Sequence, residues 1–181
     1  MSELNKIALK ILSNGKGILA ADESTGTMTK RLEGVNVHST PKNRLLFREI
    51  LFSSKEMKQC IGGVILYDET IKQITEKGQT IPELILASGS CPGIKVDTGA
   101  KVLAGSPEEK ITEGLDGLRE RLKEYHKLGA KFTKWRGVYS ISKEYPSKLS
   151  METNAHALAR YSALVQECNM VPIVEPEVLM E

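Results

Sequence analysis

Charged residues stand where apolar segments of this sequence end, and their types suit an anionic substrate rich in oxygen. Largely apolar runs at residues 17–21, 92–94, 130–133 and 171–174 lead into charged residues, which are Asp22, Lys95, Lys134, Arg136 and Glu175. Buried parallel strands read as near-continuous apolar segments, and in a β/α barrel the side chains at their carboxyl ends meet at one site. The pattern therefore predicts a barrel with a polar mouth.

The segment Lys134-Trp135-Arg136 is the most unusual local feature. Alternation along a strand places Lys134 and Arg136 on one side of the sheet and Trp135 on the other. Two neighbouring cations repel each other unless an anion or a carboxylate lies between them. Three interpretations stay open: a solvated strand end, a clamp for phosphate or carboxylate, and a lysine kept partly neutral by its neighbour.

Glu175 and Glu177 are two neighbouring anions that also share one side of a strand, so they repel each other as the two cations do. Pro176 between them stiffens the end of the strand. Apolar surroundings and a like charge favour the protonated form of a carboxyl group, which suits general acid–base work. The alternative is that both are ion-pair partners of Lys134 and Arg136.

Asp22 ends a run without charge, so it is either an inward-facing catalytic acid or the cap of the next turn. Residues 24–27, Ser-Thr-Gly-Thr, form a possible phosphate nest of hydroxyl and backbone N–H groups, with Lys30-Arg31 one turn later. Arg44 falls in the first turn of a predicted helix, where the pattern alone indicates a surface position.

Apolar periodicity predicts helices and strands in alternation. The predicted helices cover residues 3–12, 41–58, 81–86, a segment from Ser106 (or from Thr112) to 129, and a segment that Ser150 caps; the predicted strands are 17–22, 63–67, 92–96, 131–139 and 170–175. Ser106-Pro-Glu-Glu109 has the spacing of a capping box. Gly62-Gly63 predicts a close approach of backbone at the bottom of its strand.

The alternation predicts a single α/β domain over residues 1–181 with a parallel sheet. A TIM (β/α)8 barrel is favoured because charged residues recur at strand ends along the chain; the alternative, a doubly wound sheet, concentrates its ligand chemistry at one switch point. A closed barrel needs eight strands and roughly 250 residues, whereas about five strand candidates are present. We therefore expect a barrel that is incomplete at the C-terminus, with an open sheet edge.

Composition excludes several classes of function. The chain has 181 residues, 40% hydrophobic and 27% charged, with 25 basic and 23 acidic residues spread along it, so we expect no nucleic-acid partner. No apolar run approaches the about 20 residues of a membrane span, and the N-terminus lacks a signal peptide, which predicts a cytoplasmic protein. The three cysteines and three histidines show no metal-ligand spacing, so we expect no metal and no cofactor.

Several motifs, taken in order, resemble class I fructose-bisphosphate aldolase. They are the segments 17–26 (GILAADESTG), 61–66 (IGGVIL), 93–97 (GIKVD), 114–118 (GLDGL), 134–136 (KWR), 158–161 (LARY) and 171–177 (VPIVEPE), and the resemblance runs from about residue 15 to the end of the sequence. It implies a metal-independent TIM barrel that cleaves fructose 1,6-bisphosphate reversibly to dihydroxyacetone phosphate and glyceraldehyde 3-phosphate through a lysine Schiff base. It also implies a homo-oligomer, a homotetramer in this family.

The resemblance assigns roles to residues of this chain. Asp22 would orient or deprotonate the sugar hydroxyl at the bond being broken, Glu175 would shuttle protons, and Lys134 would polarise substrate oxygens and disfavour protonation of the nucleophile. The residues expected to bind the phosphosugar are Ser24, Thr27, Arg31, Arg44, Lys95, Arg136 and Glu177.

One departure is serious, because the family's Schiff-base lysine lies on the next strand, beyond Glu181. Lys134 is the only strand-end substitute, and the resemblance gives it a different role. Two alternatives therefore remain: a truncated non-catalytic homologue that binds a phosphosugar or a protein partner, and a Schiff-base barrel lyase for another sugar.

Overall fold

The structure is a computed structural model in which residues 1–180 are described. The strands are β1 (Gly17–Ala21), β2 (Ile61–Leu66), β3 (Cys91–Lys95), β4 (Gly99–Leu103), β5 (Ser106–Glu113), β6 (Phe132–Tyr139) and β7 (Val171–Val178). The helices are α1 (Glu3–Leu12), α2 (Thr25–Glu33), α3 (Pro41–Phe52), α4 (Met57–Cys60), α5 (Asp68–Ile71), α6 (Ile81–Ala87), α7 (Leu118–Lys127) and α8 (Lys148–Glu167), and a 3₁₀ turn covers Ser13–Gly15.

Five strands form one sheet in the order β1-β2-β3-β6-β7, and every neighbouring pair is parallel. β4 and β5 form a separate antiparallel hairpin between β3 and α7. In a flat sheet, β1 and β6 would lie about 14 Å apart. Lys134 of β6 nevertheless contacts Asp22 at the end of β1, so the sheet is curved strongly towards one side. The parallel half-barrel confirms the predicted barrel type.

The two faces of β6 lie in different apolar clusters, as strand alternation predicts. Trp135 is fully buried on the outer face, where its ring centroid is 5.3 Å from that of Tyr161 in α8. Phe132 lies on the inner face with Ile11 of α1, which closes the bottom of the barrel. Lys134, two residues beyond Phe132, is directed from the same inner face towards the carboxyl ends of the strands.

Gly62 confirms the predicted close approach at the bottom of β2. A Cβ atom built there would overlap the backbone carbonyl of Ile11, so only glycine allows α1 to lie against the strand. At Gly93 of β3, a Cβ atom would overlap the Phe132 ring in the same way, so glycine leaves the space that the ring occupies.

The predicted helix from Ser106 is wrong, and so is the rival start at Thr112, since both residues lie in β5. Gly105, with φ of +86°, turns the chain tightly enough for β5 to pair with β4, and α7 begins only at Leu118. The Ser106 hydroxyl does bond Glu109 at 2.8 Å, but across the start of a strand. The cap of α8 is Ser147, not Ser150, whose backbone N–H donates to the Ser147 hydroxyl at 3.2 Å.

Candidate active site

Lys134 lies between two carboxylates at the carboxyl ends of the parallel strands. Its Nζ atom is 3.3 Å from Oδ2 of Asp22 and 3.3 Å from Oε2 of Glu175. Asp22 comes directly after β1, and Glu175 projects from β7 at the position paired with Arg136. The side chains of Lys134 and Asp22 are each 11% exposed. The ends of three strands thus form one compact cluster, Asp22–Lys134–Glu175, which we call the acid–base–acid cluster.

The charge of Lys134 is stabilised in this arrangement. Burial disfavours the ammonium form, but the attraction of Asp22 and Glu175 outweighs the desolvation, and the pKa of Lys134 is raised above its ordinary value of 10.5. This direction disfavours the interpretation of Lys134 as a partly neutral lysine. The anions that the two neighbouring cations require are carboxylates of the chain itself.

Arg136 pairs with a different carboxylate, that of Glu177. Its Nε donates to Oε2 of Glu177, and both side chains are about two-fifths exposed. The hydrogen bond from Arg136 holds the pKa of Glu177 below its ordinary value, so Glu177 is ionised at neutral pH. The acids of β7 are therefore both ion-pair partners of the cations on β6.

Lys95, at the end of β3, binds Asp97, a residue to which the sequence analysis gave no role. Asp97 is 2% exposed at its side chain, and it accepts hydrogen bonds from Lys95 Nζ, from the Gly99 N–H at 3.0 Å and from the Arg136 N–H at 3.4 Å. One carboxylate thus joins the end of β3, the start of the hairpin and β6. The spacing of Lys95 and Asp97, two residues apart in an extended segment, is the signal that could have identified it.

Ser24 and Thr27 lie together at the amino end of α2, directly after Asp22. Ser24 is the N-cap, its hydroxyl oxygen accepting from the Thr27 N–H at 3.3 Å, and the two hydroxyl oxygens are 3.2 Å apart. The first N–H groups of a helix and its dipole favour an anion at this end.

Arg31 and Arg44 do not join the Lys134 cluster. Arg31 lies in the last turn of α2, where it pairs with Glu23. Arg44 is 7% exposed, contrary to the surface position that the pattern indicated, because its Nε and Nη2 form a bidentate pair with Glu69 at 2.8 and 2.6 Å. The Glu69 hydrogen bond raises the pKa of Arg44, and the Arg44 hydrogen bond lowers the pKa of Glu69.

Arg48, which the sequence analysis did not single out, supports the loop that carries Asp22. It is fully buried in α3, donating to the backbone carbonyl of Glu23 at 2.6 Å and to the Thr70 hydroxyl at 2.7 Å. Burial lowers the pKa of this guanidinium, although the Glu23 carboxylate, 3.6 Å away, opposes the shift. A mid-helix arginine gives no local signal for this role, since its partners are more than 20 residues away in the sequence.

Within residues 1–180, no group of three or more His, Cys, Asp or Glu side chains is arranged to hold a metal ion. In the same residues no helix has the length and hydropathy that a membrane crossing requires.

A curved sheet of parallel strands that presents paired acids and bases at one end defines a β/α-barrel protein with a polar mouth. The chain belongs to the class-I fructose-bisphosphate aldolase family, because the family model for fructose-bisphosphate aldolase class-I matches residues 3–181.

Relatives in several kingdoms are similar over nearly the whole chain. A probable fructose-bisphosphate aldolase class 1 of Xanthomonas campestris is 50% identical, covering 100% of this chain and 54% of the relative. The non-muscle fructose-bisphosphate aldolase of Lethenteron camtschaticum is 53% identical, covering 98% and 49%. Fructose-bisphosphate aldolase 5, cytosolic, of Arabidopsis thaliana is 51% identical, covering 99% and 50%. The chain therefore spans about half the length of these curated relatives.

A solved structure of fructose-bisphosphate aldolase from Plasmodium falciparum, in complex with TRAP and a small molecule inhibitor, has the same fold. The TM-score is 0.94 at 46% sequence identity, and the match covers 98% of this chain and 52% of that one.

Proposed function

We propose that this chain is the N-terminal part of an enzyme that cleaves fructose 1,6-bisphosphate reversibly to dihydroxyacetone phosphate and glyceraldehyde 3-phosphate, in glycolysis and gluconeogenesis. The reaction proceeds through a Schiff base between the substrate carbonyl and a lysine. The observation that carries the proposal is the Asp22–Lys134–Glu175 cluster, in which an ammonium group is held within 3.3 Å of two carboxylates.

Asp22 acts on the hydroxyl group at the carbon–carbon bond that breaks. As a carboxylate it accepts the hydroxyl proton, the bond electrons pass to the protonated imine, and the imine becomes an enamine. Glu175 supplies and removes protons while the imine forms and is hydrolysed. Both carboxylates are within reach of the same ammonium group, which orients them before substrate arrives.

Lys134 has an electrostatic role and is not the nucleophile. A Schiff-base lysine must be neutral to attack a carbonyl, and the raised pKa of Lys134 keeps its side chain protonated at neutral pH. The charged group polarises substrate oxygens and lowers the proton affinity of a second lysine nearby. That second lysine belongs to the part of the protein beyond residue 181.

The phosphosugar binds through Ser24, Thr27, Arg31, Arg44, Lys95, Arg136 and Glu177. The amino end of α2 supports a phosphate position beside Ser24 and Thr27. Asp97 holds Lys95 at the mouth through its Nζ and Arg136 through its backbone N–H, while the Arg136 guanidinium pairs with Glu177. Arg31 and Arg44, paired with Glu23 and Glu69, contribute by long-range attraction or after a change of partner.

We propose that residues 1–181 are part of one barrel domain that is completed beyond this sequence. β7 forms one edge of the sheet, and Val174 on it is 48% exposed. An edge of this kind is a template for a further strand. That this protein forms a homotetramer is a prediction. That it is cytosolic is also a prediction, and the name of the Arabidopsis thaliana relative includes the word cytosolic.

The non-catalytic alternative is not favoured, because identities of about 50% extend over the whole chain and the acid–base–acid cluster is intact.

Reductive trapping tests the proposal. The complete natural protein is incubated with fructose 1,6-bisphosphate, reduced with borohydride and mapped by peptide mass spectrometry. We expect a stable sugar phosphate adduct on one lysine beyond residue 181, together with aldehyde-releasing activity before reduction. An adduct on Lys134 would overturn its electrostatic role. Absence of both adduct and cleavage would overturn the proposal that the protein is an aldolase.

A further inference from the structure

A second cationic site lies at the opposite end of the barrel from the polar mouth. A cavity of about 260 Å³ opens between α1, α6 and α7 at the amino ends of β3 and β6, and we call it the basal cleft. Its apolar lining comes from Ile7, Leu86 and Cys91. Cys91 begins β3 and Lys95 ends it, so the basal cleft lies about 13 Å from the mouth along the strand.

Most of the charged side chains that line the basal cleft are positive. Lys6, Lys10 and Lys131 line it, and the only acid that does so within residues 1–180 is Glu3. Glu3 already pairs with Lys6 at 3.5 Å. Among the described residues, Lys10 and Lys131 have no carboxylate within ion-pair distance, whereas Lys134 at the mouth has two.

The two unpaired lysines come from different elements and line the same cavity. Lys10 projects from α1, and Lys131 directly precedes β6. Burial raises the pKa of the Cys91 thiol, and the charges of both lysines oppose this shift. Both lysines therefore lie close enough to Cys91 for their charges to reach its thiol.

We propose that the basal cleft binds a small organic anion with a flat apolar body, such as an aromatic phosphate or carboxylate. The anionic group binds Lys10 and Lys131, and the apolar body lies against Ile7 and Leu86. A cavity of 260 Å³ is below the usual 300–1,000 Å³ of drug-sized sites, so it suits a single ring rather than a nucleotide. This binding is independent of the reaction proposed for the mouth.

Methyl-resolved NMR of the complete natural protein tests the proposal, with phenyl phosphate as the probe. The methyl signals of Ile7 and Leu86 report on the basal cleft alone, so binding of the same probe at the mouth does not confuse the result. The test variant is Lys10→Gln/Lys131→Gln. The matched control, Lys101→Gln/Lys123→Gln, removes two exposed lysines from other surfaces.

We expect saturable shifts of both methyl signals, at least tenfold weaker binding in the test variant and unchanged binding in the control. Inorganic phosphate should bind at least tenfold more weakly than phenyl phosphate, because it gains nothing from the apolar lining. Absence of shifts up to about 10 mM probe would overturn the proposal, since even weak specific binding is detectable there. Equal affinity in the test variant, or equal affinity for inorganic phosphate, would also overturn it.

Discussion

Replacing Lys134 by methionine is the sharpest test of the acid–base–acid cluster. Methionine keeps the length and apolar stem of the side chain but removes its charge. At 3.3 Å and an effective dielectric constant of about 20, each ion pair contributes roughly 5 kcal/mol of gross attraction before desolvation is subtracted. The variant leaves Asp22 and Glu175 with no cation between them.

One effect on catalysis follows from that geometry. Loss of a preorganised charge at the reacting oxygens should lower kcat by about 10²–10³-fold, the usual cost of one such group.

The assay is steady-state cleavage of fructose 1,6-bisphosphate by the complete natural protein, with kcat and KM measured across the pH range. Lys123→Met is the control, because Lys123 is exposed and has no ion pair within residues 1–180. A Lys134→Met enzyme with kcat within threefold of wild type would refute the electrostatic role.

Three further substitutions test the scaffold. Tyr161→Phe should cost about 1–2 kcal/mol of unfolding free energy in urea, because it leaves the buried Thr133 hydroxyl, 2.6 Å from the Tyr161 oxygen, without that partner. Gly62→Ala should cost about 3 kcal/mol or more in the same assay, since its Cβ would overlap the Ile11 carbonyl. Glu109→Gln should destabilise the protein at pH 7 and have little effect well below pH 4.5; the pH dependence of Tm measures this.

The sign of the Glu109 effect follows from its surroundings. Burial alone would raise its pKa, but hydrogen bonds from Ser147 and Ser106 outweigh that and lower the pKa below 4.5. A lowered pKa in the folded state contributes stability that is present above about pH 4.5 and is lost as pH falls through the folded value. An equal Tm difference between wild type and Glu109→Gln at pH 7 and at low pH would contradict this.

Matched controls exist for the other two scaffold variants. Tyr139→Phe removes a hydroxyl that has no hydrogen bond among the described residues, and Gly17→Ala adds a Cβ whose nearest neighbour is 4.0 Å away. If Tyr161→Phe were no more destabilising than Tyr139→Phe, the buried hydrogen bond would contribute nothing. If Gly62→Ala were tolerated as well as Gly17→Ala, α1 would not need its close approach.

Sequence reasoning succeeded where a local period determines the structure. Alternation correctly separated Trp135 from Lys134, and the glycine pair correctly indicated the contact beneath β2. It failed at the β4–β5 hairpin, because Ser106 and Glu109 form the side-chain contact of a capping box in a different backbone. A short signature of this kind does not distinguish a helix start from a strand that follows a tight glycine turn.

Sequence reasoning could not predict which charges pair, because pairing depends on contacts between distant segments. Arg44 and Glu69 are 25 residues apart, and nothing near Arg44 indicates that its partner will bury it. Asp97 lies in the motif at 93–97, yet two of its three hydrogen bonds come from the hairpin and β6, whose positions relative to β3 are set by the fold.

The longest of these contacts shows how the apolar interior determines the chemistry at the mouth. Lys134 and Asp22 are 112 residues apart in sequence and three strands apart in the sheet, so only the curvature of the sheet brings them within 3.3 Å. Beneath them, on the same inner face, the Phe132 ring occupies the space that Cβ atoms would fill at Gly63 and Gly93. A larger residue at either glycine would push the ring and the strands apart. Because attraction between charges falls with distance, the glycines beneath the site affect its electrostatics through the spacing of the strands that carry the charged residues.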